Sequence, residues 1–311
     1  MYDSFYHFFY FCSLIIILKM KQTIISIVVF CAMLLAFPVA PVQAQNSEVG
    51  ACVGTMFYLG ELNPTRLFAK PQLAAGLVYR YNISPRWAVK ADFMFGKVMG
   101  SDANNENNKE RNLSFSSPVT EFSVVAELNF LQLYTSVGKN HFAPYIFAGA
   151  TIFSFDPMAE YKDETGKVTV YELQCLGTEG QGLEGMPKKY SLTHFAIPFG
   201  IGFRFNIGRY VSLGAEWSMR YTFTDYLDDV GGRYYDNDLL REQRGDIIAD
   251  LADRSPELIG SDGNPLPLHH AGVQRGNPTT HDLYSFAGAT LTVKFGNSDR
   301  TCDLKKKRKK Y

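Results

Sequence analysis

Residues 120–130 decide the fold of this chain, and they read Thr-Glu-Phe-Ser-Val-Val-Ala-Glu-Leu-Asn-Phe. Every second side chain is apolar and falls on one face: Phe122, Val124, Ala126, Leu128 and Phe130. The other positions are mostly polar: Glu121, Ser123, Val125, Glu127 and Asn129. A period of two is the period of a β-strand. The stretch therefore predicts a strand with one apolar face and one largely polar face.

The same alternation recurs in seven further segments: Val49–Leu59, Leu73–Ile83, Trp87–Val98, Ala143–Phe155, Phe195–Phe205, Val211–Phe223 and Leu283–Phe295. Each segment has about the length of a tilted membrane-crossing strand, which needs roughly 9–11 residues. No helical periodicity of comparable length competes with them. The sequence predicts an all-β chain of eight strands.

The connections between these segments alternate between short and long. Residues 84–86, 135–142 and 206–210 form short connections, whereas the long ones cover 60–72, 100–118, 156–190 and 224–282. With eight antiparallel strands, both termini and all short connections fall on one side. This arrangement is typical of outer-membrane β-barrels, which have short periplasmic turns and long extracellular loops. A soluble sandwich or lipocalin-like barrel is the alternative, but its core would have to hold the large aromatic faces.

In an outer-membrane barrel the apolar faces meet lipid, so the polar faces line the interior. Nine charged residues are then predicted inside: Arg80, Lys90, Asp92, Glu121, Glu127, Arg204, Glu216, Arg220 and Lys294. Five are positive and four are negative, and an eight-stranded barrel is only wide enough for its own side chains. We expect a packed, ion-paired interior; a solute channel is the alternative.

The two ends of the chain differ from this pattern. Residues 1–44 predict an N-terminal extension and a cleaved signal peptide with a start at Met20, an apolar run over Ile24–Phe37 and a cleavage site after Ala44. An uncleaved membrane anchor is the alternative. We expect the barrel over residues 45–296 and a basic periplasmic tail over 297–311. Export leaves three widely spaced cysteines, which predict no disulfide framework: Cys52, Cys175 and Cys302.

The chain has 31 Lys and Arg against 31 Asp and Glu, and 46% of its residues are hydrophobic. This composition excludes disorder and gives no reason to expect nucleic acid. The charges are nevertheless separated, because residues 225–282 hold twelve acids and five arginines, a balance of −7. Within the tail, a run of six positive residues could dock a partner: Lys305, Lys306, Lys307, Arg308, Lys309 and Lys310. A solvated, disordered end is the alternative.

Two long connections contain distinctive motifs. The first is glycine-rich, without the spacing of a nucleotide-binding loop, and predicts a packed loop: Leu176, Gly177, Thr178, Glu179, Gly180, Gln181 and Gly182. The second places Asp225, Asp228 and Asp229 just beyond a strand. These acids could bind Ca²⁺ or divalent ions that bridge lipopolysaccharide, although they lack the spacing of a known calcium loop. The ordinary alternative is that these aspartates cap turns and pair with arginine.

Histidines are the only other candidates for chemistry. His269, His270 and His281 lie in the last long connection with Asp282, but no nucleophile motif accompanies them. The sequence therefore predicts a protein that is not an enzyme, with no cofactor and no small-molecule substrate.

Four segments resemble the PorG-type outer-membrane proteins of the type IX secretion system: Tyr58–Pro64, Arg111–Phe115, Leu176–Gly182 and Thr222–Val230. The resemblance covers residues 46–296. It implies an integral barrel in outer-membrane lipid, linked on its periplasmic side to the PorK and PorN ring proteins. Such machinery exports proteins with a C-terminal sorting domain and in some bacteria is tied to gliding motility. The nineteen residues before Met20 and the basic tail depart from the family pattern. A surface adhesin or ligand-binding barrel is the alternative function.

Overall fold

The computed structural model describes residues 47–105, 108–131, 141–163, 165–207 and 210–295. The predicted signal peptide, the basic tail and Cys302 lie outside these residues, as does most of the predicted short connection over 135–142.

The alternating segments form eight long antiparallel strands: β1 (Ser47–Leu59), β2 (Gln72–Asn82), β3 (Trp87–Ser101), β4 (Ser114–Asn129), β5 (Phe142–Phe155), β8 (Thr193–Ile207), β9 (Val211–Thr222) and β10 (Leu283–Phe295). Each strand pairs with its neighbours along the chain, and β5 pairs with β8. The first and last strands pair along their whole length, from Ser47 opposite Phe295 to Leu59 opposite Leu283. The sheet is therefore a closed eight-stranded barrel, and the predicted fold is confirmed.

The strands β3 and β4 are longer than their alternation predicts. They remain paired up to Ser101 opposite Ser114, so the second long connection covers only residues 102–113. At its outward positions the extra part of β4 has Ser114, Ser116 and Pro118 in place of large apolar residues, so it lacks the apolar contrast that marks a lipid-facing strand. Backbone pairing continues beyond that contrast because it does not depend on the side chains.

The third long connection contains secondary structure that the sequence pattern does not predict. It has a hairpin of β6 (Met158–Lys162) and β7 (Val168–Glu172), followed by the one-turn helix α1 (Leu173–Leu176). The hairpin turn is fixed by Asp163, whose carboxylate accepts hydrogen bonds from the amides of Thr165 and Lys167, each at 2.9 Å. A strand of five residues is too short for its alternation to distinguish it from an irregular loop.

The fourth long connection contains two short helices, α2 (Asn237–Arg244) and α3 (Asp246–Ala252). Asp236 caps α2 by accepting a hydrogen bond from the Leu239 amide at 3.1 Å, and Gly245 separates the two helices. In the described part of the chain, no helix has the length and apolar character needed to cross a membrane.

The barrel is apolar outside and charged inside. On the outer face Leu73 and Phe195 are 82% and 65% exposed, as are many other large apolar side chains of the strands. A surface of this kind is stable only where lipid covers it. Eight of the nine charged residues predicted for the interior are buried, and Lys294 is half-buried.

Ion pairs fill the interior in layers. Arg80 contacts Glu127 at 2.8 Å and Glu48 at 3.2 Å near the end that carries the short turns. At mid-height Lys90 contacts Glu216 at 2.9 Å. Nearer the long loops, Arg220 contacts Glu121 at 2.6 Å. Glu48 is an interior acid that the alternation does not reveal, and it brings the interior to five positive and five negative residues.

Candidate functional site

The four long connections emerge at the same end of the barrel: L1 (60–71), L2 (102–113), L3 (156–192) and L4 (223–282). Their described residues are called the loop cap below. Side chains from each loop contact another loop, as the following clusters show. The four loops therefore form one layer in which each loop contacts another.

Arg275 of L4 is the centre of the largest cluster. Its buried guanidinium contacts the Glu179 carboxylate of L3 at 3.0 Å and donates to the backbone carbonyls of Asp229 at 2.5 Å and Ala252 at 3.2 Å. Glu179 also accepts hydrogen bonds from the amides of Gly231 and Gly232, at 3.2 and 3.1 Å. These bonds hold the glycine-rich motif of L3 against L4.

The glycine-rich motif supplies backbone carbonyls to L4. Gly177 and Gly182 have left-handed backbone conformations, with φ of 67° and 82°, which favour glycine. Between them the chain turns so that Arg244 of α2 donates to the carbonyls of Gly177 at 3.0 Å and Gln181 at 2.7 Å. The motif is a packed loop that binds an arginine of the same chain.

The three aspartates that could bind a cation, Asp225, Asp228 and Asp229, have different surroundings. Asp229 accepts hydrogen bonds from Thr178 at 2.5 Å and Tyr190 at 2.6 Å, and burial raises its pKa to about 6 although Arg275 opposes that rise. Asp228 accepts from the Tyr58 hydroxyl at 2.5 Å and the Val230 amide at 3.0 Å. Asp225 makes no such bond, and its two carboxylate oxygens are buried without a hydrogen-bond partner.

Asp225 instead lies beside two other acids. One oxygen each of Glu61, Asp225 and Asp282 lies within 4.8 Å of the others. Asp228 is linked to them through the Tyr58 hydroxyl, which lies 2.8 Å from Asp282. These four carboxylates, Glu61, Asp225, Asp228 and Asp282, are called the acid cluster below.

The carboxyl groups of the acid cluster have raised pKa values. Burial, reinforced by the neighbouring carboxylates, raises the pKa of Asp225 to about 9. The same causes raise the pKa of Asp228 and Asp282 well above the usual range. Burial also raises the pKa of Glu61, although hydrogen bonds from L4 oppose it. The arrangement therefore favours a proton or a cation among these oxygens.

Strand order explains why these acids meet. Glu61 follows the end of β1, Asp282 precedes β10, and Asp225 follows β9 by three residues. The three strands are consecutive neighbours in the sheet, so their ends share one stretch of the barrel rim. No motif in the sequence marks Glu61, and Asp282 stands out there only beside histidines. The position of each acid directly beyond a strand was the signal that could have found the cluster.

Arg111, the arginine of L2, pairs with Asp102 and not with the acid cluster. Arg111 forms a two-pronged pair with Asp102, at 2.7 Å for each bond, and donates to the Arg275 carbonyl at 2.5 Å. Phe115, which lies in the same segment, packs edge-on against Tyr58 with ring centroids 4.8 Å apart. L2 is thereby joined to L4 and to the barrel rim.

The histidines of L4 have separate environments. The His269 ring stacks on Tyr234 at 4.3 Å and contacts Asp253 at 3.0 Å, whereas His281 packs edge-on against Tyr221 and His270 is exposed. His269 also lines a polar cavity of about 570 Å³ whose walls include Glu61, Arg111, Tyr234 and Arg275. Cys52 is a buried free thiol, and the Cys175 thiol donates to the Glu172 carboxylate at 3.8 Å.

Residues 25–174, just under half of the chain, match the family model of a domain of unknown function, DUF6089. Comparison with the curated proteins yields no match.

Several solved barrels are similar to the chain at low identity. The attachment invasion locus protein Ail of Yersinia pestis is 9% identical, with a TM-score of 0.36 over 80% of this chain and 98% of its own. Neisserial surface protein A is 10% identical, with a TM-score of 0.38 over 80% and 97%. The outer-membrane protein OprG of Pseudomonas aeruginosa is 7% identical, with a TM-score of 0.35 over 82% and 98%.

Proposed function

We propose that this protein is a structural docking component of the outer membrane that serves the type IX protein secretion machinery. The observation that carries the proposal is that buried ion pairs fill the barrel and the interlocked loop cap covers its outer end. A barrel packed in this way has no room to pass a solute. The protein would therefore act through its surfaces.

The choice of machinery rests on the four segments that resemble PorG-type proteins. These segments contact one another in the structure: Tyr58 packs on Phe115 and hydrogen-bonds Asp228, and Thr178 hydrogen-bonds Asp229. Residues that are far apart in sequence but form one structural unit are expected to be kept together within a family. Their joint presence supports the resemblance more strongly than any single segment would.

Docking is proposed for the periplasmic side. The short turns and the C-terminus of the last strand share that end, so the run of six basic residues over 305–310 would lie there too. Positive charge at that position suits an acidic surface of the PorK and PorN ring proteins. The barrel would hold the ring to the outer membrane.

Deletion of the gene tests the proposal. We expect secretion of cargo with a C-terminal sorting domain to fail and to recover when the full chain is restored. Pull-down of ring proteins by the full chain and by a chain truncated after Phe295, at matched barrel insertion, tests the tail. Normal secretion in the deletion strain would contradict the proposed function. Undiminished ring recovery by the truncated chain would contradict only the role of the tail.

The alternative is a surface barrel that binds an external ligand. The polar cavity of about 570 Å³ on the loop cap favours it, because Glu61, Gln274 and His269 are among the polar residues that line the cavity. An adhesion assay on the deletion strain separates the two functions. Lost adhesion with normal secretion would favour the alternative.

A further inference from the structure

We propose that the acid cluster binds one Ca²⁺ ion through Glu61, Asp225 and Asp282, and that this ion fastens both ends of L4 to L1. The site is independent of the proposed secretion role, since it concerns the outer end of the barrel. Four observations on the described residues carry it.

The first observation is the spacing of the carboxylate oxygens. One oxygen of each ligand lies within 4.8 Å of the other two. Calcium binds oxygens at roughly 2.3–2.6 Å, so ligands on opposite sides of one ion are separated by up to about 5 Å. The three carboxylates therefore fit a single coordination sphere.

The second observation is the isolation of Asp225. The residue is only 9% exposed, and both of its carboxylate oxygens are buried without a hydrogen-bond partner among the described residues. A buried carboxylate in that state costs several kcal/mol of free energy. Its oxygens face Glu61 and Asp282, which without a cation or a proton would only repel it.

The third observation is the shortage of positive charge. The Tyr58 hydroxyl has one proton but touches both Asp228 and Asp282, at 2.5 and 2.8 Å. Arg111 is bound to Asp102, and Arg275 is bound to Glu179 beside Asp229. Among the described residues, no lysine or arginine forms an ion pair with any member of the acid cluster. A divalent ion would supply the missing charge.

The fourth observation is the close approach of the L1 backbone. A Cβ atom at Gly60 would lie 2.1 Å from the Asp282 carboxylate and 2.1 Å from the Tyr58 hydroxyl. Only glycine lets the chain pass this close to the acids. Glycine at this position therefore allows Glu61 to reach the same centre as the two acids of L4.

The ion would have a structural effect on the longest loop. L4 comprises the sixty residues 223–282, with Asp225 near its start and Asp282 at its end. Joining these two positions to Glu61 of L1 fixes the base of L4 on the barrel rim. Calcium should therefore protect L4 from unfolding and proteolysis.

Calcium titration of the purified, detergent-refolded protein tests the site, with calorimetry and Tb³⁺ luminescence excited through nearby tyrosines. We expect one high-affinity site per chain, and protection of L4 from protease by Ca²⁺ that EDTA removes. Asp225→Asn should weaken binding by roughly tenfold or more. The matched control is Asp262→Asn, an exposed aspartate of the same loop, which should bind as the wild type does.

Two results would overturn the proposal. One is an unmodified protein that binds no Ca²⁺ at millimolar concentration; the other is an Asp225→Asn variant with wild-type affinity. The first result would indicate that a shared proton neutralises the acids, and the second that Ca²⁺ binds elsewhere on the chain. Heat-modifiable gel mobility verifies that each variant has folded. If Asp225→Asn does not fold, Asp282→Asn takes its place, and titration of the unmodified protein decides the question in any case.

Discussion

Arg275 and Glu179 meet at 3.0 Å in the middle of the loop cap, and both side chains are buried. Because they belong to L4 and L3, this one contact joins the two longest loops. Glu179 in turn holds two amides of L4, and Arg275 holds carbonyls at Asp229 and Ala252. A charge pair with this many backbone partners determines how both loops lie on the barrel.

Replacing Arg275 with methionine is expected to open the loop cap. The change keeps most of the side-chain volume but leaves Glu179 and Asp229 buried without their cation, which typically costs about 3–5 kcal/mol. We expect L3 and L4 to become sensitive to protease while the barrel keeps its heat-modifiable mobility. Limited proteolysis followed by mass spectrometry measures this.

Arg233→Met is the matched control, because Arg233 lies on the same loop, and its guanidinium donates to the Gly272 carbonyl at 2.7 Å. It should leave the digestion pattern unchanged. Adding Glu179→Gln to Arg275→Met should recover part of the protection, since one uncompensated charge is removed. Equal resistance of Arg275→Met and the unmodified protein would contradict the central role of this pair.

The interior ion pairs are expected to stabilise the barrel itself. Arg80 contacts Glu48 at 3.2 Å and Glu127 at 2.8 Å. Arg80→Met would leave both carboxylates buried without this cation, which typically lowers the free energy of unfolding by about 3–5 kcal/mol. Unfolding by guanidinium in detergent should show a lower midpoint. Arg86→Met, a change at an exposed position in the turn before β3, is the control and should keep the midpoint. An unchanged midpoint for Arg80→Met would mean that water reaches these charges.

The barrel could be predicted from sequence because every strand shows the same local alternation of apolar and polar residues. A lipid-facing strand must be apolar at every second residue, as from Phe122 to Phe130, and the eight strands obey this constraint separately. The interior residues followed from the same parity. Glu48 was missed because it lies one residue into β1, before the alternation becomes visible.

The loop cap could be predicted only in part, because it depends on contacts between distant residues. Asp225, Asp228 and Asp229 are neighbours in sequence, yet the structure sends them to different partners. Asp229 occupies a left-handed turn with φ of 65° and faces L3, whereas Asp225 faces Glu61 of L1. The local sequence does not determine which loop an aspartate contacts. The order of the strands in the barrel determines it, because loops that follow neighbouring strands lie side by side.

Gly202→Ala is expected to destabilise the barrel through one aromatic ring. Gly202 of β8 lies opposite Tyr145 of β5, and a Cβ atom there would lie 2.4 Å from the tyrosine ring. The displaced ring would lose its 3.0 Å hydrogen bond to Glu216. Overpacking of this kind typically costs about 1–3 kcal/mol, which guanidinium unfolding measures. In a Tyr145→Ala background, Gly202→Ala should lower the free energy of unfolding only slightly. An equally large loss of stability in that background would show that the ring is not the cause.

Acid is expected to loosen L4 through Asp253. Burial pushes the pKa of Asp253 upward, but hydrogen bonds from the His269 amide and from Ser255 outweigh burial and hold it below its usual value. A lowered pKa stabilises the fold at pH values above the ordinary carboxyl range, about 4, and that stability is lost as the pH falls through the folded pKa. Neutralising the group should therefore mimic acid.

Hydrogen exchange of residues 253–269, corrected for the intrinsic pH dependence, measures this effect between pH 6 and pH 3. The unmodified protein should be protected at pH 6 and lose protection toward pH 3, whereas Asp253→Asn should be weakly protected at both. Glu242→Gln, at an exposed position of α2, should follow the unmodified protein. The lowered pKa predicts this direction because the unfolded chain binds a proton at higher pH than the folded chain does. Protection that rises as the pH falls would reverse the sign and contradict the stabilising role of the Asp253 carboxylate.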